Sequence, residues 1–272
     1  HPDNDLNPRG QRINMAASEA ALAAGIGDNA GWVKYNAETE ELPDFNNLIE
    51  NANQNDIIGY ALLHDAAGSH AAFAKLKPSN NQVTNIGRDG NHAFAELLLG
   101  NPDVALAKRA MFTAALQKAG PQGAFALNRQ FNPAIALALA MTGDFKAAHT
   151  LVDTTPTDCI VCLRMRGVID MLEKNWNGAA YWLARAVKAA PSMPQARGEW
   201  GFMLLRKGDP AAAIAQFAGA LEHSPHYADA WEGWGEALLM QNSAGQALAK
   251  FAEANKYAPN WGRLHLKWGE AL

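Results

Sequence analysis

The sequence predicts an all-α fold built from repeated helical hairpins, and three observations carry the prediction. Ala makes up roughly a fifth of the 272 residues while β-branched and aromatic residues are thin, so the propensity sum favours helix over strand. A 34-residue period runs through the second half of the chain in four ladders: Pro191, Pro225, Pro259; Gly167, Gly201, Gly235, Gly269; Ala186, Ala220, Ala254; and Trp200, Trp234, Trp268. Within each period two apolar-periodic stretches flank a short polar break, Lys174-Asn175, then Lys207-Gly208-Asp209, then Gln241-Asn242-Ser243.

The elements follow in order. Residues 1–48 hold one Ala-rich helix around 14–25, a polar glycine-containing break and a short helix near 44–52. Residues 49–128 read as degenerate hairpins. One carries Ile57, Ile58, Ala61, Leu62 and then Ala71, Ala72, Phe73, Leu76, ending near Pro78; the next is broken at Gly100-Asn101-Pro102. Residues 129–272 are regular. A hairpin turning at Gly143-Asp144 precedes three full units, and residues 262–272 supply a single helix whose Leu264, Leu266, Trp268 and Leu272 lack a covering partner. That bare edge is expected to self-associate. The small residues at Gly201, Gly235, Ala213 and Ala247 let paired helices approach, Phe217 and Phe251 fill the space to the next pair, and Pro225 and Pro259 stop each second helix.

Trp231-x-x-Trp234-Gly235-x-x-Leu238 followed by Ala247, Phe251, Ala254 and Pro259 resembles the tetratricopeptide repeat family, and so do the two preceding units. The resemblance covers somewhat over half of the chain. It implies a right-handed superhelical solenoid with a concave face made by the first helices. It also implies which residues face that groove: Arg164, Val168, Met171, Phe202, Leu205, Arg206, Asp229, Glu232, Glu236, Leu239, Arg263, Leu266 and Glu270. This lining is apolar at its centre and acidic towards the C-terminus. The Lys/Asn clamp with which some family members grip a C-terminal carboxylate is absent. The expected partner is therefore a peptide or helix of another protein with apolar anchors and some basic residues. A merely solvated acidic face is the competing reading.

Cys159 and Cys162 form a C-x-x-C pair at the start of a first helix, where helix amides could lower a thiol pKa and permit a redox role. Regular helical spacing of i and i+3 fits a disulfide poorly, which favours two inert thiols instead. His223 and His226 are too few to hold zinc, and the tryptophans fall on packing offsets, so no metal and no cofactor are expected. Neither a Ser/His/Asp or paired-carboxylate arrangement nor a glycine-rich phosphate loop is detectable.

A net charge of −4 disfavours nucleic acid and anionic lipid as partners, and no apolar run of membrane-spanning length occurs. A chain that starts at His1 fits removal of a leader, which would place it in a periplasmic or secreted space; without such processing it would be cytoplasmic. The reading is a non-enzymatic scaffold or adaptor. The alternative is an enzyme or thiol-redox protein using the N-terminal third or Cys159/Cys162, with the repeats docking a protein substrate.

Overall fold

The computed structural model describes residues 56–78 and 82–272, and the helices expected within residues 1–48 lie outside them. The described residues are helical and contain no strand. The chain is an all-α solenoid of stacked helical hairpins. The first pair is α1 (residues 56–62) and α2 (Ala66–Lys75), and the second is α3 (Gln82–Leu98) and α4 (Asp103–Lys118). In the third, α5 (Gly120–Ala126) runs through a π turn at Leu127–Phe131 into α6 (Asn132–Met141), which pairs with α7 (Phe145–Val152). Three regular pairs follow: α8 (Ile160–Leu172) with α9 (Trp176–Ala189), α10 (Pro194–Lys207) with α11 (Pro210–His223), and α12 (Ala228–Met240) with α13 (Ala244–Tyr257). The last described helix is α14 (Gly262–Ala271).

All six turns within these pairs use one device. A residue with positive φ reverses the chain: His64, Gly100, Gly143, Lys174, Gly208 and Asn242, with φ between 56° and 91°. The last three keep the 34-residue period. The residue that follows is Asp, Asn or Ser. At Asp65, Asp144, Asn175 and Asp209 its side chain accepts an amide hydrogen bond from the first turn of the second helix, at 2.9–3.2 Å.

Packing follows the glycine and alanine ladders. Ala179, Ala213 and Ala247, and Ala186, Ala220 and Ala254, are fully buried where the helices of a pair meet. A Cβ placed on Gly201 would stand 2.5 Å from the Phe217 ring, and one on Gly235 would stand 2.5 Å from Phe251. Gly233 of the next pair meets Phe217 from the other side. One ring therefore fills the gap between successive pairs, and only glycine leaves room for it.

The third pair departs from the regular pattern for a local reason. Pro133 has no amide to give the Arg129 carbonyl one turn back, and the helix loosens there into the π turn, with the Asn132 amide reaching Leu127. Position 128/129, the expected boundary between degenerate and regular repeats, lies inside this turn and in mid-helix. No proline follows α7 directly. Instead, buried Arg166 donates to the Val152 carbonyl at 2.7 Å, the Thr155 carbonyl at 2.8 Å and the Thr155 hydroxyl at 2.9 Å. It satisfies carbonyls that the helix end leaves open, while its guanidinium lies over Trp182.

Candidate functional site

The first helices of successive pairs line one concave cavity of about 860 Å3. α3 contributes Phe94, Leu97 and Leu98; α8 contributes Val161, Arg164, Val168 and Met171; α10 contributes Glu199, Phe202, Leu205 and Arg206; α12 contributes Asp229, Glu236 and Met240. The turn between α1 and α2 reaches across to the last repeat and adds His64 and Ala66 to the cavity lining. His64 stacks on Trp261 with ring centroids 3.7 Å apart and 10° between planes, and its Nε2 lies 3.1 Å from Asp229 Oδ1. Asn260 Nδ2 donates to Asp65 Oδ2 at 3.0 Å. These contacts join residues 165 and 195 positions apart, so the described solenoid closes on itself. His64→Ala is expected to speed amide hydrogen exchange in residues 56–76 and 258–264 while leaving α10 unchanged; equal protection in the variant would show that the stack and the hydrogen bond to Asp229 do not hold these contacts.

Most charges in the cavity already have partners. Arg164 grips Glu199 bidentately, its Nε donating to Oε2 at 2.9 Å. Burial pulls the Arg164 pKa down, but the Glu199 ion pair outweighs it and the net direction is up. Arg263 donates to Glu236 at 2.6 Å and to Glu232 at 3.2 Å, and lies over the Phe202 ring. Asp229 belongs to His64.

Of the thirteen residues expected to face the groove, nine line the cavity: Arg164, Val168, Met171, Phe202, Leu205, Arg206, Asp229, Glu236 and Arg263. The other four are placed elsewhere. Glu232 is 0% exposed, sealed between α12 and Arg263, and burial pushes its carboxyl up to about 8 against the pull of Arg263. It is a buried acid and not part of an acidic rim. Leu239 packs into the core around Phe251, Leu266 is 63% exposed outside the cavity, and Glu270 pairs with Lys267 at 2.9 Å on the surface. The expected acidic end is thus one buried acid and carboxylates tied to cations.

The cysteine expectation is corrected. Cys159 is not inside the helix: it caps α8 in an extended conformation (φ −103°, ψ 118°), and its sulfur accepts the Cys162 amide at 3.3 Å. The i, i+3 spacing is therefore not helical spacing, and with 5.2 Å between Cα atoms the two residues pair as a disulfide. Both are buried against the π turn, the sulfurs 3.6 and 3.8 Å from the carbonyl oxygens of Arg129 and Asn128.

His226 stacks on Tyr257 at 4.7 Å. A different cluster brings three ligand-type atoms within 4.8 Å, namely His149, Asp170 and Glu173. His149 Nε2 lies 2.8 Å from Glu173 and 3.9 Å from Asp170, and Asn175 Nδ2 donates to Asp170 at 3.0 Å. The same arrangement recurs two pairs earlier, where His70 meets Glu96 at 2.7 Å and Asn101 Nδ2 donates to Glu96 at 3.0 Å. In both places an acid on the first helix bonds the Asn of its own turn; a His of the preceding pair bonds that same acid at Glu96 and the neighbouring Glu173 beside Asp170. The recurrence marks a polar junction between pairs, a structural feature that the sequence analysis did not single out.

Residues 204–267 match the tetratricopeptide repeat family. That stretch of the chain carries tetratricopeptide repeats. The sequence matches no curated protein. Among solved structures, the fold is similar to that of a tetratricopeptide repeat protein from Parabacteroides merdae, with 14% identity and a TM-score of 0.57 over 96% of this chain and 99% of that one. It is also similar to a chain of the APC/C hetero-tetramer Cut9–Hcn1, with 12% identity and a TM-score of 0.53 over 95% of this chain and 55% of that one. No described helix is long and apolar enough to cross a membrane.

Proposed function

We propose that the protein is a non-enzymatic scaffold that takes a segment of another protein, a peptide or a helix, into its concave cavity. The observation that carries this reading is the lining. Apolar side chains from α3, α8, α10 and α12 converge on one space of about 860 Å3, with charged groups set around them. Such a face supplies apolar anchor pockets along a rigid superhelix, the physical requirement for holding an amphipathic segment. The chain that matches in the Cut9–Hcn1 hetero-tetramer belongs to an assembly of proteins, which agrees with the reading.

The test is site-specific photo-crosslinking in the native cells. A benzophenone amino acid at Val168 or Met240, both in the cavity lining, is expected to yield adducts with another protein. The same group at Tyr181, 55% exposed and outside the cavity, is expected to yield none. Adducts at Tyr181 alone would move the binding face out of the cavity, and adducts at no position would remove the scaffold reading.

A further inference from the structure

We infer that the segment held in the cavity carries an acidic side chain that pairs with Arg206, flanked by apolar residues. The inference rests on the scaffold reading above and reverses the basic partner that the sequence suggested. The reason is the pairing of charges on the lining. Glu199 and Glu236 are paired with Arg164 and Arg263, and Asp229 is hydrogen-bonded to His64, so the carboxylates that would attract a basic segment are already engaged inside the wall. Glu232 lies buried beneath Arg263 and offers no charge to a ligand.

Arg206 differs from these groups. It lines the same cavity, at the last turn of α10, and no described residue gives it a hydrogen bond or an ion pair. Water reaches it through the open cavity, yet protein surrounds the guanidinium enough that burial lowers its pKa; Arg263 lowers it further and Glu236 opposes both. A cation in that position, beside a second arginine, is held at a cost that an incoming carboxylate would relieve. Phe202, Leu205 and Met240 on the same lining supply the apolar surroundings. The planar fork of the guanidinium suits a bidentate carboxylate better than a neutral amide.

The test uses the full chain and a random-peptide phage library, since the partner is unidentified. Peptides selected on the wild-type protein are expected to share an Asp or Glu among apolar residues. A synthetic peptide from that set is expected to bind Arg206→Gln about tenfold or more weakly by calorimetry. Arg206→Glu is expected to recover affinity for the same peptide with its acid replaced by Lys. Circular dichroism should be unchanged in both variants, because Arg206 makes no bond that holds the fold. Selected peptides that lack an acid, or that bind Arg206→Gln as well as wild type, would overturn the inference while leaving the scaffold reading in place. A library that yields no binders would overturn both.

Discussion

Phe217→Ala is expected to lower the unfolding free energy by about 3–5 kcal/mol, the range for removing a fully buried phenylalanine from a packed core. The ring is 0% exposed and stands between Gly201 of its own pair and Gly233 of the next. It also meets Phe202 edge-on, with centroids 5.1 Å apart and 70° between planes. Truncation therefore removes contacts within a pair and between pairs at once, and those two terms together set the stability of a solenoid. The urea transition followed by circular dichroism should move to lower concentration and broaden, because α12 to α14 lose their coupling to the pairs before them. Phe217→Leu, which keeps most of the volume, should cost no more than about 1.5 kcal/mol. A loss under about 1 kcal/mol for the alanine variant would mean that the two glycine-lined walls close on the cavity, and that this ring does not hold the pairs apart.

The same residues show why the C-terminal half of the fold was readable. A Gly at 201 or 235 and a Phe at 217 or 251 are local consequences of helices meeting at close range, and a 34-residue period repeats that geometry, so it is written into the sequence. For the same reason nine of the named residues share one cavity, because the period keeps them on one face of the first helices. What failed depended on neighbours in space. Positions 164, 198 and 232 are equivalent by period, yet Arg164 pairs with Glu199 in the cavity, Gly198 makes room for the Tyr227 ring, and Glu232 is sealed under Arg263. The closure by His64 joins residues 165 positions apart and leaves no local trace. The cysteine pair was misread because the helix was expected to include Cys159, whereas the chain enters α8 in an extended conformation at that residue. The π turn had a visible cause in Pro133, but a proline near a helix start is compatible with an ordinary first turn.

Stability of the wild-type protein is expected to fall as pH rises from about 4.5 to about 8, and Glu232→Gln is expected to remove that part of the slope. Burial raises the Glu232 carboxyl from an ordinary 4.5 to about 8, with Arg263 opposing. Between those values the folded chain keeps a proton that the unfolded chain has released. The folded state then binds more protons, so stability declines with pH until the folded pKa is passed. At about 1.4 kcal/mol per unit, the full effect is at most about 5 kcal/mol. Other groups act in part of the same range. His92 is lowered, chiefly by burial, so its contribution is present above its ordinary 6.5 and is lost as pH falls, the opposite sign. Asp170 is raised by burial and adds a decline of the same sign as that of Glu232, beginning near its ordinary 3.8. The informative quantity is therefore wild type minus Glu232→Gln at each pH, from urea unfolding. Gln keeps an oxygen that can accept from Arg263 and matches the protonated acid in shape, so the variant should gain on wild type steadily up to pH 8 and no further. A difference that is flat across the range would place an ionised Glu232 in the folded chain, with Arg263 compensating its charge in full.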